Sequence, residues 1–345
     1  MSDFNENYNQ NLNEETFGAK TGFAPEDIFR PNLSPEEQEI REIKKIGNIA
    51  GISMISLLVL SVILGVFLII SALIYGGETQ ALKLIEDPAL GAVIQVVFSM
   101  FSFTVPFIAC YKIGGFRVSE LVSFKKTDKS LSYPLFFFGL SLCAFANISA
   151  GYVDDIFRSV GIDYSMDIEM PEGFFGFLLS VISTALVPAL VEEFAVRGLL
   201  LGSLRKFGDA FAVIASAICF GILHGNFEQI PFAALVGLFL GFTVVKTGSL
   251  RVAMGVHFAN NLVSVLVSYF PAGNEIKNVI YFIYLIIALI LGLLFLKSAD
   301  AGLFTFEESQ TKLDNGKKYK AFFLSGGIVV FIIVNLIEAV SLLII

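Results

Sequence analysis

The sequence has no tryptophan, two histidines, three cysteines and little charge: 16% of its 345 residues are Asp, Glu, Lys or Arg. Soluble domains carry about 25%. With 55% hydrophobic residues, 36 phenylalanines and a mean hydropathy of +0.77, the chain is neither a cytosolic enzyme nor a disordered polymer, and it reads as a multi-span membrane protein. Without tryptophan, any aromatic belt at the bilayer surface must use Tyr and Phe. Cys110, Cys143 and Cys219 lie in separate apolar runs with no CxxC spacing, which argues against a cysteine zinc site or a disulfide framework. They read as small buried hydrophobes. No basic segment followed by an apolar run opens the chain, so no cleavable signal peptide is expected. The sequence pI near 4.9 argues against a nucleic-acid partner.

The acidity is local. Of the formal net charge of -8, residues 1–40 account for -7 and the other 305 residues for -1. The first 33 residues are polar and Asn-rich, cannot bury a core and are expected to be disordered. Ser34-Pro35-Glu36-Glu37 then has the form of a helix start, with Ser34 as cap, Pro35 in the first turn and Glu37 closing a capping box.

Nine apolar stretches follow, at 49–75, 89–111, 133–153, 173–205, 209–225, 230–246, 250–270, 277–297 and 321–345. A bilayer is crossed by about 20 apolar residues, and an unpaired backbone is not tolerated in lipid. The expected fold class is therefore all-α, a polytopic transmembrane helix bundle of about 8–9 spans around an intramembrane cavity. The expected organisation is an acidic tail (1–40), N-terminal transmembrane helices (41–165), a core (166–275) and C-terminal transmembrane helices (276–345).

Loop charge gives an orientation. Arg41, Lys44 and Lys45 precede the first span; Lys112, Arg117, Lys125, Lys126 and Lys129 lie in the loop 112–132; Arg205 and Lys206 follow the fourth span. The loops 76–88 and 154–172 are acidic instead. Basic loops mark the cytoplasmic side, so the N-terminus is expected inside. Nine spans would then put the C-terminus outside.

The informative residues are those that a membrane helix should avoid. Glu192, Glu193 and Arg197 interrupt the apolar run 184–201, and charges there must face a bundle interior or water. Glu193 and Arg197 are four apart and can pair on one helix face, leaving Glu192 for chemistry. Both histidines, His224 and His257, also stand in apolar stretches, and Asn261 shares a helix face with His257. If the fourth and fifth spans form a hairpin turning at Phe207-Gly208, Glu192 and His224 both lie roughly 23 Å from that turn. His257 and Asn261 lie roughly 10 to 16 Å into their own span, shallower but reachable through stagger or tilt.

A carboxylate and an imidazole on facing helices can deprotonate a water, while a second imidazole and an amide can hold the oxyanion formed when that water attacks a peptide carbonyl. A zinc held by Glu193, His224 and His257 is the other chemistry open to these residues, although no HExxH motif is present. An ion or proton relay could also use intramembrane Glu and His, but the spans show no inverted repeat. Glu338, deep in the last apolar run, reads as a helix-contact residue.

Glu192-Glu193-x-x-x-Arg197, Phe220-x-x-x-His224 and His257-x-x-x-Asn261, in this order, resemble the three motifs of the CAAX-protease and bacteriocin-processing (CPBP, or Abi) family, over about residues 170–270. The resemblance implies an intramembrane endopeptidase of the glutamate type, formerly called a metalloprotease. It implies a water activated by Glu192 with His224, an oxyanion site from His257 and Asn261, and Glu193 and Arg197 as supporting pocket residues. It implies no cofactor, a peptide or protein substrate of CAAX, bacteriocin or leader type entering from the membrane or cytoplasmic side, and a bacterial cell membrane as location. A non-catalytic bacteriocin-immunity or scaffold protein of the same fold is the alternative.

Overall fold

A computed structural model describes residues 33–162, 170–270, 275–297, 303, 305–306, 311 and 313–343. The first 32 residues of the expected acidic tail, with its alternating asparagines, lie outside the described residues. So do Asp163, Asp167 and Glu169 of the acidic loop 154–172. Every regular element among the described residues is helical.

The chain enters helix α1 (Pro35–Ile85) through the capping box expected from its sequence. The Ser34 backbone N–H and hydroxyl both donate to Glu37 Oε2 at 2.8 Å, and Glu37 N–H donates back to Ser34 Oγ at 3.3 Å. The helix therefore begins inside the stretch assigned to the tail. It also continues through residues 76–85, most of the expected acidic loop, because nothing there breaks it before Asp87 and Pro88.

Helix α2 (Pro88–Ile113) starts on an Asp87 side chain that accepts from Ala89 and Leu90 N–H. A short turn of helix, α3 (Val118–Leu121), lies in the basic loop before α4 (Lys129–Ser159), which Asp128 caps. Next comes a helical rod, α5 (Gly173–Phe207), in which two π segments, Val181–Leu186 and Glu193–Leu201, flank the α-helical turn Val187–Glu192. Gly208 ends the rod with φ 125° and starts α6 (Asp209–Ile222), so the hairpin expected at Phe207-Gly208 is present. Arg205 Nε bonds Asp209 Oδ1 across it at 2.8 Å.

Helices α7 (Gln229–Thr247), α8 (Arg251–Ser268) and α9 (Glu275–Leu296) follow. The final apolar stretch is not one straight helix. Helices α10 (Asn315–Phe323) and α11 (Gly326–Ser341) meet at 66° where Ser325, Gly326 and Gly327 interrupt the run. The Gly327 N–H donates to Asn48 Oδ1 at 2.8 Å, which ties α11 to α1.

Among the described residues, five helices are long and apolar enough to cross a membrane, namely the Pro35–Ser71 part of α1, α2, α4, α5 and α7. The bent pair α10–α11 would make six. This is fewer than the 8–9 spans read from the sequence. Apolar residues continue into α6 and α9, but the α6 helix and the apolar part of α9 (Val279–Leu294) are short. The fold is an all-helical multi-pass membrane bundle. Around α5 pack α2, α6, α7 and α8; α9 lies on α4, and α1 holds α2 on one side and α11 on the other. The buried core includes Phe107, Tyr111, Leu199, Leu200, Leu201 and Phe322. Cys143 and Cys219 are buried free thiols and Cys110 is half-buried, as their apolar surroundings predict.

Candidate active site

The second π segment carries Glu193 and Arg197 into the bundle interior, where their side chains are fully buried. Arg197 Nη1 donates to Glu193 Oε1 at 2.9 Å, the pair expected from the four-residue spacing. The guanidinium also lies over the Phe220 ring, 4.0 Å from its centroid. Helix α7 closes over this stack at Gly237. A Cβ there would sit 3.2 Å from Arg197 Nη2 and 3.3 Å from Phe220 Cδ1.

His257, on the buried face of α8, completes the cluster. Its Nδ1 lies 2.9 Å from the same Glu193 Oε1. A carboxylate there accepts, so Nδ1 carries the proton and Nε2 is turned outward. That Nε2 is 3.9 Å from Glu192 Oε2, whose side chain keeps a fifth of its surface accessible. Four of the residues picked out in the sequence, Glu192, Glu193, Arg197 and His257, are thus in one connected group. The depth difference expected for His257 is absent. The turn between α7 and α8 is docked on the basic loop, with Leu250 N–H donating to Ser123 O and Ser249 Oγ to Lys125 O, both at 2.9 Å. Contact between His257 and Glu192 then requires α8 to begin deeper than the Gly208 turn.

His224 is placed differently from its expected position inside a helix. Helix α6 ends at Ile222, and His224 stands in the turn beyond it. Its backbone N–H goes to Gly221 O instead of Phe220 O, and its ring fills the vacancy, with Nδ1 2.8 Å from the Phe220 carbonyl oxygen. A carbonyl only accepts, so the neutral ring holds its proton on Nδ1 and offers the Nε2 lone pair. Gly225 continues this turn in the left-handed region, at φ 67°, which a side chain would resist. Asn226 Oδ1 then accepts from Gln229 N–H at 2.7 Å to start α7. The Glu338 carboxyl of α11 packs against this turn, within 3.2 Å of where a Gly225 Cβ would be.

Phe220 packs edge-on against both imidazoles, with ring centroids 4.9 Å from His224 and 6.1 Å from His257. Both rings open onto a cavity of about 430 Å³ between α4, α6, α7 and α8, whose wall also holds Asn147, Phe232, Asn260 and Asn261. The two glutamates are not on that wall and reach it through His257. The sequence paired Glu192 with His224; the structure sets Glu192 beside His257, because His224 turns back to the Phe220 carbonyl.

Asn261 donates from Nδ2 to Thr184 O at 3.1 Å. No α-helical donor competes for that carbonyl, because position 188, four residues on, is proline and has no N–H. Asn260 Nδ2 donates to Asn261 Oδ1 at 3.2 Å, and Asn147 Nδ2 to Asn260 Oδ1 at 2.9 Å. Asn147 and Asn260 were not singled out from the sequence, and Phe220 stood there as a motif position with no role. The criterion that found Glu192, polarity inside an apolar run, applies equally to the two asparagines.

Among the described residues, no three His, Cys, Asp or Glu side chains are gathered as metal ligands. Glu193, His224 and His257 do not form such a set. Glu193 Oε1 is shared by Arg197 and the His257 Nδ1, and His224 is turned toward Phe220.

Residues 174–263 match the family model described as type II CAAX prenyl endopeptidase Rce1-like, in agreement with the resemblance read from the three motifs. The matched segment contains Glu192, Glu193, Arg197, His224, His257 and Asn261, and excludes Asn147. Neither the curated proteins nor the solved structures include a match to the chain.

Proposed function

We propose that the chain is an intramembrane endopeptidase that hydrolyses a peptide bond with a water activated by Glu192 and His224, the oxyanion being held by His257 and Asn261. The match of its core to a family of CAAX prenyl endopeptidases supports the reaction class. The observation that carries the mechanism is one continuous arrangement. Arg197 and His257 both bond Glu193, His257 leads to Glu192, and the cavity beside them presents His224 and Asn261.

The tautomers suit these roles. His224 offers an unprotonated Nε2 to the cavity and acts there as a proton acceptor. His257 already gives its Nδ1–H to Glu193, so it can donate from Nε2 only as an imidazolium. In that state Glu192, Glu193, Arg197 and His257 together are neutral, the arrangement a low-dielectric interior favours. The reaction then balances. The water oxygen bonds to the peptide carbon and its proton passes to the Glu192–His224 base. The carbonyl oxygen becomes an oxyanion that accepts from His257 Nε2–H and Asn261 Nδ2–H. When the C–N bond breaks, the base returns the proton to the leaving nitrogen, and the products are a carboxylic acid and an amine. No step needs a metal or cofactor.

The substrate is a peptide or protein segment of CAAX, bacteriocin or leader type that enters the cavity from the bilayer or the cytoplasmic side. In this reading the N-terminus is cytoplasmic in a bacterial cell membrane, and the short helices α6, α8 and α9 cross beside the long ones to give eight or nine spans.

Purified protein incubated with a peptide library, with and without a chelator, tests the proposal. Cleavage should persist with the chelator and vanish in Glu192→Ala and His224→Ala while membrane insertion is retained. Full cleavage by either variant would refute it. Peptide binding or immunity that survives Glu192→Ala without any cleavage would assign the fold to a non-catalytic role.

A further inference from the structure

We infer that Asn147, on α4 and outside the segment matched by the endopeptidase family model, is a positioning residue that aims the Asn261 carboxamide through Asn260; the inference rests on the hydrolytic reading above. The three amides form one file across the cavity wall, from α4 to two consecutive residues of α8 and on to the α5 backbone.

The direction of this file is forced. A carboxamide has an accepting oxygen and a donating NH2 group, and the two ends are distinguished by their partners. The anchor is the Thr184 carbonyl, which can only accept and which has no i+4 donor because that position is Pro188. Asn261 must therefore turn its NH2 to Thr184 and its oxygen to Asn260. Asn260 must in turn present NH2 to Asn261 and its oxygen to Asn147. Asn147 must then be the donor. One further N–H of Asn261 is left over, and it is the one assigned to the substrate oxyanion.

If the Asn147 donor is removed, the oxygen of Asn260 loses its partner. Nothing then opposes a flip of Asn260 that would set its oxygen against the oxygen of Asn261. Asn261 can escape only by rotating off Thr184, which carries its free N–H away from the scissile carbonyl. Behind Asn147 stands the buried Tyr281 hydroxyl, within reach of the Asn147 carboxamide.

Asn147→Asp keeps the shape and, when ionised, removes the donor; Asn147→Leu removes hydrogen bonding altogether. On a peptide that the wild type cleaves, both should lower kcat about tenfold with KM changed less than twofold, the loss expected from one weakened hydrogen bond in the transition state. Asn260→Asp should do the same, and the Asn147→Asp/Asn260→Asp double variant should be no slower than the worse single one, because both act through one group. A protonated aspartic acid regains an O–H donor. The ratio of Asn147→Asp kcat to wild-type kcat should thus climb as pH falls, while the Asn147→Leu ratio stays flat. Glu228, His224 and His257 also face this cavity, but they titrate in both enzymes and cancel in the ratio.

Wild-type kcat in the Asn147 variants, multiplicative losses in the double variant, or a flat Asn147→Asp ratio would each overturn the inference. A Glu192→Gln protein that cleaves like the wild type would instead overturn the hydrolytic reading. If Glu192 is required and the Asn147 variants are unaffected, the positioning role alone fails.

Discussion

Arg197→Met is the most demanding test of the buried charge cluster. The substitution keeps much of the aliphatic stem and deletes the guanidinium. Glu193 and Arg197 have no exposed side-chain surface, and Glu193 would keep only His257 as a partner. Removing one member of a buried ion pair costs about 3–5 kcal/mol, since the other charge stays desolvated. The lost stack on Phe220 adds on the order of 1 kcal/mol. A melting temperature lower by roughly 5–10 °C is the expected reading. The double variant Glu193→Gln/Arg197→Met removes both charges and should recover most of the stability, because a buried pair replaced by neutral groups is often neutral or better. It should remain inactive, because His257 would lose the carboxylate that sets its tautomer. Intrinsic fluorescence is a weak probe in a chain without tryptophan, but Cys143 and Cys219 are buried free thiols. A thiol-reactive dye therefore reports unfolding directly in detergent. A loss below about 1 kcal/mol for Arg197→Met, the range of an exposed pair, or a double variant as unstable as the single one, would refute the reasoning.

Pro188→Ala supplies an N–H that competes with Asn261 for the Thr184 carbonyl; kcat should fall while thermal stability holds or rises, and an unchanged kcat would count against the anchoring of Asn261. Gly237→Ala puts a methyl group 3.2 Å from Arg197 Nη2 and from Ala217 Cα, so the dye-monitored melting point should drop by an amount equivalent to about 1–3 kcal/mol. At the start of α1, hydrogen bonds from the Ser34 backbone and hydroxyl hold the Glu37 carboxyl below its ordinary value of 4.5. A depressed carboxyl stabilises above its unfolded pKa and loses that contribution as pH falls through the folded value. Relative to the intrinsic rate at each pH, amide exchange of Ser34, Glu37 and Gln38 should accordingly be protected at neutral pH and less protected near pH 3, with Glu37→Gln less protected at both.

Much of the site was legible because lipid makes polarity conspicuous. Glu192, Glu193, Arg197 and both histidines stand out from apolar runs, and the Glu193–Arg197 contact follows from spacing alone. The Ser34 capping box was equally plain. Other features depend on tertiary context. Nothing local to His224 reveals that α6 stops two residues before it and frees the Phe220 carbonyl for its ring. The pairing of Glu192 with His257 depends on how the α7–α8 turn seats on the loop at Ser123 and Lys125, a contact more than a hundred residues away in sequence. The kink at Ser325-Gly326-Gly327 was overlooked because hydropathy averages over three small residues. Pro188 is a readable signal of another kind: a proline four residues after Thr184 removes the α-helical donor to that carbonyl.

The π segment Glu193–Leu201 also bears on how this protein can change by insertion and deletion. Its hydrogen bonds run from residue i to i+5, one residue more per closed turn than in an α-helix. Loss of one residue here would remove the one that a π turn carries in excess, so the segment could relax to α geometry with the rod on either side kept near its phase. A deletion in the α turn Val187–Glu192 would instead rotate everything on its N-terminal side, Thr184 included, by about 100° about the rod axis. Changes of length are therefore graded along α5, mild within the π segment and disruptive just before it.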